Sequence, residues 1–400
     1  MDKVHWLLPE GIDEVVPPHA ANLEQVRRDI LDMFATWGYD LVMPPFIEFL
    51  DSLLMGAGAD IDLKTFKLID QVSGRLMGIR ADMTTQIARI DAHHLENEAP
   101  SRLCYMGTVL HTLPDGFGGT RSPLQIGAEL YGHTGFESDV EIISLMLETM
   151  KLAGIEDLSI DLGHVGIFRG LTRQAGLDSS QEKQLFEALQ RKAVTEIGEY
   201  LNEFSVDQKL AAKIQALSDL NGSDVMQEAR QVLQGSSEEV MQALQTVENV
   251  AASILKKFPS LELHYDLAEL RGYGFHTGTV FSAYVPGSGV EIARGGRYDN
   301  IGGEFGRARP ATGFSTDMRK LLKHSGNSFA PSAKTIFVPC VAQLDEAVKQ
   351  QLDDTIQQLR QQGERVICEL AGQQGSPSEL GCQQVLIYEN NQWQVQPLSN

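Results

Sequence analysis

The sequence predicts an α+β fold with one large core, a helical insertion in that core and a small C-terminal α/β unit. Strand-like and helical segments alternate through most of the 400 residues, but residues 172–257 show helical periodicity and contain no proline. A loop rich in Gly, Asn, Ser and Pro follows residue 325. We therefore place the core at 1–325, with the insertion at about 172–257, and the small unit at 326–400.

The N-terminal part of the core begins with a helix and continues mainly in strands. Apolar residues recur at helical spacing before Gly38, where a helix should stop: Leu23, Val26, Ile30, Leu31 and Phe34. The segment LVMPPFIEF should be extended, because Pro44 and Pro45 exclude a helix. Between residues 60 and 134 we expect one helix, TTQIARIDAHH, among the strand-like segments TFKLID, RLMGIR, SRLCYMGTVLHTL and PLQIGAELYGH. An amphipathic helix is predicted at 139–153.

Strand signals return after the insertion. LELHYDLAEL, TVFSAYV and GVEIARGG have the composition of strands, and ATGFSTDMRKLL predicts a strand that runs into a helix. The small unit should contain the strand TIFVP, the helix LDEAVKQQLDDTIQQLRQQG and two more strands, RVICEL and QVLIYE. Helix and strands together predict a small α/β unit.

Composition narrows the classes of protein to which the chain can belong. The net charge is −21, from 33 basic and 54 acidic side chains. Such a surface repels a polyanion at long range, so we expect no nucleic-acid partner. No run of 18 apolar residues and no signal-peptide pattern occurs, which favours the cytoplasm and no membrane contact. The four cysteines are widely spaced, so we expect reduced thiols and no metal site.

Two glycine-rich segments carry side chains suited to a small ligand. Glycines let the backbone approach a ligand closely, and Tyr298 in GGRYDNIGG offers a phenolic hydroxyl. In RGYGFHTGTVF, Arg271 is a planar fork suited to a carboxylate, and His276 can donate or accept a hydrogen bond. A tight turn without a ligand explains the first segment equally well, and a lone histidine is more often structural.

Two polar pairs complete the set of candidate ligand residues. Asp82 and Thr84, in GIRADMTTQ, would share a face if that segment is extended, and the pair suits a protonated amino group. Gln125 and Glu129, in PLQIGAEL, are four residues apart and should also lie on one face of a strand. Taken singly, each pair is explained more simply as solvated or structural.

Together these segments resemble a known family. The order and spacing of GYDLVMPPFIEF, GIRADMTTQ, YMGTVL, QIGAELYG, LRGYGFHTGTVF, ARGGRYD and PATGFSTDMRKLL resemble the core of class II histidyl-tRNA synthetases, from about residue 5 to residue 325. LRGYGFHTGTVF and GGRYD are the most specific, because they resemble the histidine-recognition motifs. The resemblance implies a class II aminoacyl-tRNA synthetase-like core, a mixed and mainly antiparallel sheet flanked by helices, and a small C-terminal remnant of an anticodon-binding-like domain.

The same resemblance implies a histidine pocket that is largely kept. Asp82 stands where the family has a glutamate for the amino group of histidine, and His276 stands where a tyrosine meets the imidazole. The other implied positions match the family. The histidine-binding residues that the resemblance implies are Asp82, Thr84, Gln125, Glu129, Arg271, His276 and Tyr298.

The ATP side of the implied site departs from the family. Its motif RYERP supplies an arginine and a glutamate for ATP, whereas this chain has His111 and Leu113 in that stretch. A histidine lacks the five-donor fork of arginine, and a leucine side chain accepts no hydrogen bond. In the third motif Asp317 replaces a glycine, which adds negative charge near a triphosphate. The resemblance therefore implies lost ATP-site positions and no catalytic residue.

One branch of this family combines a kept histidine pocket with an altered ATP side and a shortened C-terminal unit. The chain resembles this branch, the regulatory subunits of ATP phosphoribosyltransferase. That enzyme joins ATP to phosphoribosyl pyrophosphate at the start of histidine biosynthesis. The resemblance implies a short-form catalytic subunit as partner and self-association as a synthetase-like dimer within a hetero-octamer. It also implies feedback inhibition with L-histidine as the allosteric ligand, and no cofactor. We expect motion of the glycine-rich DGFGG segment at 115–119 to carry the coupling, although simple surface flexibility explains that segment as well.

Two alternatives stay open. The chain could be a divergent histidyl-tRNA synthetase, or a paralogue that activates an amino acid for another acceptor. Both need a working ATP site, so His111 and Leu113 count against both.

Overall fold

The structure is a computed structural model of the chain, and it describes residues 7–95, 98–114, 119–269, 272–287, 289–325, 334–340 and 344–398. These residues divide into two compact units, one of 7–16 with 23–325 and one of 17–22 with 334–398. The boundary expected at 326 lies outside the described residues and stays a prediction, as does the behaviour of most of the DGFGG segment.

Along the chain, a helix, short strands and a hairpin lead into two long strands. Helix α1 ends at Thr36, and Gly38 follows with a φ of 81°, a conformation that glycine adopts without steric cost. The elements are α1 (His19–Thr36), β1 (Asp40–Val42), β2 (Ile47–Phe49), α2 (Leu50–Leu53), α3 (Ala59–Lys64), β3 (Phe66–Ile69), β4 (Leu76–Ile79), α4 (Thr84–Ile90), a π-helical turn (Asp91–Leu95), β5 (Ser101–Thr108), β6 (Leu124–Tyr131), α5 (Phe136–Leu152) and β7 (Ser159–His164).

Six helices follow and form the insertion. Asp178 caps one of them with a capping box, and Ser237 caps the longest through its hydroxyl. Their apolar faces meet in one buried cluster that includes Phe168, Leu189 and Leu244. The elements are α6 (Val165–Gln174), α7 (Ser179–Gln190), α8 (Val194–Glu203), α9 (Gln208–Ala216), β8 (Asn221–Gly222), α10 (Met226–Val232) and α11 (Glu238–Lys257).

Two elements in this region were missed by the sequence analysis. Strand β7 (Ser159–His164) lies between α5 and α6. Its six residues give too short a pattern of apolar and polar residues to be recognised between two helices. Strand β8 is only two residues long and pairs with β9 (Glu262–Asp266), too short to leave a periodic pattern. Among the described residues no helix combines the length and apolarity that a membrane crossing requires.

The remaining strands complete a nine-stranded sheet. They are β10 (Thr279–Tyr284), β11 (Glu291–Arg297) and β12 (Ala311–Asp317), with the short α12 (Ile301–Glu304) before β12 and α13 (Met318–His324) after it. The strand order is β1-β5-β6-β12-β11-β10-β7-β9-β8, and only the β1–β5 and β7–β9 pairs are parallel. A separate antiparallel sheet has the order β2-β4-β3. The predicted mixed, mainly antiparallel core is confirmed.

The two faces of the large sheet have different roles. On one face Phe314 of β12 packs edge-on against Phe34 of α1, with ring centroids 6.2 Å apart. Helix α5, most of whose side chains are buried, packs on β6 and β12. The adjacent residue Gly313 points to the opposite face, because side chains alternate along a strand. That opposite face carries the candidate site.

The second unit is a four-stranded sheet with one helix. Its elements are β13 (Thr335–Val338), α14 (Glu346–Gln361), β14 (Arg365–Cys368), β15 (Gln384–Glu389) and β16 (Gln392–Pro397), in the sheet order β14-β13-β15-β16. Strand β16 was not predicted, although Trp393 and Val395 alternate with glutamines along it. Asn390 and Asn391, with φ of 51° and 63°, form the two-residue turn that signals this hairpin.

Candidate ligand site

Strand β6 presents the polar side chains on which the site is built. Gln125 and Glu129 lie on one face of this strand, as its period of two dictates, and both are buried. In the sheet Glu129 is opposite Leu103 of β5 and Gly313 of β12. The site therefore lies near the middle of the large sheet.

The segment around Asp82 is the start of a helix, as expected for TTQIARIDAHH, so Asp82 and Thr84 do not share a strand face. Thr84 is the first residue of α4, and Oδ1 of Asp82 accepts its backbone N–H at 2.7 Å. A helix leaves its first amides without intrahelical partners, and an aspartate two residues earlier satisfies one of them. The other oxygen, Oδ2, accepts from Nε2 of Gln125 at 2.6 Å. Gln125 in turn accepts the N–H of Met83 at 3.1 Å, so Asp82 is fixed against β6.

Glu129 is the most enclosed acidic group of the site. Its side chain is 1% exposed, and its two oxygens accept hydrogen bonds from Tyr105 at 3.0 Å and from Tyr298. Tyr298 also lies 3.3 Å from the hydroxyl of Tyr131. Burial raises the pKa of Glu129 to about 8, against the opposing effect of the two tyrosine hydrogen bonds. The carboxyl group is therefore mostly protonated at neutral pH.

Two glycines make room for this cluster. A Cβ at Gly313 would overlap the carboxyl group of Glu129, and a Cβ at Gly127 would lie 2.5 Å from the hydroxyl of Tyr105. Neither glycine has a left-handed backbone, so the requirement is for space and not for conformation. The sequence analysis missed both glycines, and it also missed Tyr105 and Tyr131. A glycine within a strand is the signal that marks a close approach.

His276 lies beside this cluster without a hydrogen bond to it. Its ring packs on the backbone of Gly272 and Gly296, where added Cβ atoms would come within 2.7 and 2.8 Å of it. Burial lowers the pKa of His276 to about 4, so the ring is neutral at physiological pH. No described residue forms a hydrogen bond with its Nδ1. Its neighbour Phe275 contacts the cluster, with a ring centroid 4.8 Å from that of Tyr298.

The structure thus brings together five of the seven expected residues. Hydrogen bonds connect Asp82 with Gln125, and a chain through Tyr105 connects Thr84 with Glu129 and Tyr298. The hydroxyls of Thr84 and Tyr105 are 3.4 Å apart, a weak link in that chain. Arg271 lies outside the described residues.

A cleft of about 480 Å³ opens beside Asp82 and Gln125. His111 and Asp317 are part of its wall, whereas Leu113 is 68% exposed and is not. Nε2 of His111 lies 2.9 Å from the carbonyl oxygen of Ala81. Oδ1 of Asp317 accepts the N–H groups of Leu124 and Arg319, each at 3.0 Å, so this carboxyl group caps α13. Among the described residues no group of three or more His, Cys, Asp or Glu side chains could hold a metal ion.

Comparison with known proteins identifies the family. A family profile for histidyl-tRNA synthetase matches residues 11–321, and one for the C-terminal domain of the ATP phosphoribosyltransferase subunit HisZ matches residues 333–396. The ATP phosphoribosyltransferase regulatory subunit of Thioalkalivibrio sulfidiphilus is 54% identical over 99% of this chain and 100% of its own length. The chain belongs to the family of ATP phosphoribosyltransferase regulatory subunits. Its proteins serve histidine biosynthesis.

Other relatives agree with this assignment. The regulatory subunit of Alkalilimnicola ehrlichii is 54% identical over 98% of this chain and 97% of its own length. A regulatory subunit/histidyl-tRNA synthetase of Bacillus halodurans matches with a TM-score of 0.81 at 25% identity, covering 95% of this chain and 97% of that one. Histidyl-tRNA synthetase of Nostoc has a TM-score of 0.77 at 20% identity, covering 96% and 91%. The expected class II synthetase-like fold is confirmed.

The raised pKa of Glu129 predicts a pH-dependent stability difference. A carboxyl group whose pKa rises on folding, here from 4.5 to about 8, stabilises the folded state at low pH and loses that contribution as the pH rises through 8. Glu129→Gln removes this titration. We expect the variant to gain stability relative to the wild type between pH 5 and pH 9, measured by urea unfolding at several pH values.

The matched control is Glu228→Gln, at an exposed position of α10. Its difference from the wild type should stay constant over the same pH range. Parallel stability curves for Glu129→Gln and the wild type would contradict the argument.

Proposed function

We propose that this regulatory subunit binds free L-histidine at the Asp82–Glu129 site and transmits its presence to a short-form catalytic subunit. One observation carries the proposal: Asp82 is hydrogen-bonded to Gln125 of β6, and the buried carboxyl–tyrosine cluster of Glu129 lies four residues further along the same face of that strand. Histidine has a cationic amino group at one end and an imidazole with one donor and one acceptor at the other. The amino group is suited to the carboxylate of Asp82, and the imidazole is suited to the hydrogen-bonding groups around Glu129.

The chemistry of each group supports the proposed roles. Asp82 and the hydroxyl of Thr84 suit the ammonium group, and the amide of Gln125 orients Asp82. Glu129 and Tyr298 offer both donors and acceptors to an imidazole, because a protonated carboxyl group can donate as well as accept. The neutral ring of His276 adds a further polar atom beside them. Arg271 is proposed for the carboxylate on the family resemblance alone.

The ATP side supports binding without amino-acid activation. Loss of a preorganised charged group at a reacting phosphoryl or acyl centre typically costs about 3–4 kcal/mol of transition-state stabilisation. His111 and Leu113 replace two such groups, and Asp317 adds a carboxylate to the wall of the cleft. We therefore infer that the subunit has no adenylating activity of its own. No observation favours the divergent synthetase or the amino-acid-activating paralogue.

An apolar surface supports the proposed self-association. Exposed large apolar side chains concentrate between residues 41 and 76, around the edge strand β1 and the sheet β2-β4-β3: Leu41, Met43, Phe46, Ile47, Phe49, Met55, Leu63, Ile69, Val72 and Leu76. A concentration of this kind is typical of a protein–protein interface. We propose that a second copy of the chain covers it and that the dimer assembles with the catalytic subunit into a hetero-octamer.

Histidine binding is tested by calorimetric titration of the purified subunit with L-histidine, with and without ATP and magnesium. We expect binding that needs no ATP and releases no pyrophosphate. Asp82→Asn removes the charge that faces the ammonium group, so it should weaken binding roughly 10-fold or more. Asp224→Asn, an exposed control, should bind as the wild type does. Pyrophosphate release would favour the synthetase alternative, and absence of binding would refute the histidine site.

Self-association is tested by sedimentation velocity. Met43 is 79% exposed beside β1, and Met43→Asp would bury a charge in the proposed interface. We expect the variant to sediment as a monomer at concentrations where the wild type is a dimer. Val194→Asp, at an exposed apolar position of the insertion, should leave the dimer intact. A wild-type monomer at all concentrations would contradict the proposal.

Regulation is tested by adding the subunit to a short-form catalytic subunit and measuring ATP phosphoribosyltransferase activity. We expect activation by the wild type and inhibition of the complex by L-histidine. Since a coupling free energy of about 1–3 kcal/mol suffices for feedback, histidine should change activity by roughly 5- to 150-fold. Asp82→Asn should still activate but resist histidine. Inhibition that is unchanged in this variant would place the inhibitory site elsewhere.

A further inference from the structure

The loop 272–276 joins two apolar clusters of the first unit. Tyr273 packs into the cluster of the helical insertion. Phe275, two residues later, packs into the cluster that contains Tyr105 and Tyr298 of the candidate site. The loop is therefore anchored on one side in the insertion and on the other side in the ligand site.

The anchor in the insertion is aromatic. The ring of Tyr273 stacks on Phe186 of α7, with centroids 5.0 Å apart and planes at 26°. It meets Phe168 of α6 edge-on at 5.5 Å. The guanidinium carbon of Arg169 lies 4.7 Å from the centre of the same ring. Both helices thus contact this one side chain through attractive ring geometries.

Hydrogen bonds reinforce the same anchor. The hydroxyl of Tyr273 donates to Oε1 of Glu182 at 2.7 Å, and Oε2 of Glu182 accepts from Thr172 of α6 at 3.0 Å. Nη2 of Arg169 donates to the carbonyl oxygens of Tyr273 and His276 at 3.1 and 3.3 Å. Bonds to a charged group are stronger than bonds between neutral groups. They attach the backbone of the loop to α6 and the ring of Tyr273 to α7.

The other side of the loop meets the ligand site. Phe275 lies 4.8 Å from Tyr298, and Tyr298 donates to Glu129. His276 follows directly and presents a buried Nδ1 without a hydrogen-bond partner among the described residues. A displacement of the loop would move both side chains relative to Glu129. The contacts of Tyr273 oppose such a displacement.

We propose that Tyr273 is a positioning residue through which α6 and α7 hold Phe275 and His276 against the ligand site. Because coupling is reciprocal, a ligand that orders Phe275 and His276 also stabilises the contacts between Tyr273 and α7. The helical insertion then senses occupancy of the site. Only the identity of the ligand in this proposal rests on the proposed function, the binding of histidine.

The test compares two tyrosines of the insertion region in the full-length protein. Tyr273→Phe keeps the ring contacts and removes the hydrogen bond to Glu182. Tyr200→Phe is the matched control, because Tyr200 stacks on Phe204 and donates to Glu196 at 3.0 Å away from the loop. Backbone hydrogen exchange is measured for residues 272–278 and for α7, with and without L-histidine, and histidine affinity is measured by calorimetry.

We expect Tyr273→Phe to speed exchange of the loop amides roughly 10-fold and to weaken histidine binding several-fold. Histidine should slow exchange in α7 of the wild type and of Tyr200→Phe, but not in Tyr273→Phe. A merely structural role would not remove this ligand-dependent protection. Glu182→Gln should weaken binding as well, and its effect should not add to that of Tyr273→Phe.

Unchanged exchange of residues 272–278 in Tyr273→Phe would overturn the proposal, because that measurement needs no ligand. Equal effects of Tyr273→Phe and Tyr200→Phe on the loop would overturn it too. If the wild type binds no histidine, the histidine site fails, and the exchange of the loop still decides whether Tyr273 positions it.

Discussion

The hydrogen bonding of the buried carboxyl group of Glu129 is the constraint on which the rest of the site depends. A carboxyl group in an apolar interior is unfavourable unless its oxygens are hydrogen-bonded. Tyr105 and Tyr298 provide the two donors, and glycine at 127 and 313 leaves the space in which the three groups meet. Any side chain at position 313 would displace the carboxyl group, so the strand sequence and the polar cluster are determined together.

The second carboxylate couples the two ends of the site electrostatically. The negative charge of Asp82 contributes to the raised pKa of Glu129, after the larger effect of burial. A ligand with a cationic group beside Asp82 would offset that charge and ease ionisation of Glu129. A ligand with a hydrogen-bonding ring would at the same time occupy the polar atoms around Tyr298. The histidine proposed above has both features in one molecule and would meet both requirements, whereas a simple amine would meet only the first.

Much of the fold could be predicted from the sequence, because periodicity reports which residues face the core. The helices α1 and α14 carry apolar residues at helical spacing, and the long strands β6 and β12 are buried almost throughout. Strand β8 has only two residues and leaves no pattern, whereas β16 alternates between glutamine and apolar residues after the Asn390–Asn391 turn, a signal that the sequence analysis missed. At Asp82 the sequence left open whether the segment is extended, and the structure shows the start of α4 there. A helix start is decided by which oxygen caps the first amides, and that depends on Gln125 from a distant strand.

The two sets of candidate residues occupy different parts of the core. The candidate histidine residues are anchored on β6 and by tyrosines in the middle of the sheet, whereas His111 and Asp317 lie at the wall of the cleft. Asp317 holds backbone groups of Leu124 and Arg319, so its carboxyl group stabilises the end of β12 and the start of α13. The hydrogen bonds that Oδ1 of Asp317 accepts therefore come from backbone groups and not from the cluster around Glu129. Asp82 and Gln125 line the same cleft as His111 and Asp317, so the two sets of residues meet there, while Glu129 and its tyrosines lie further along the sheet.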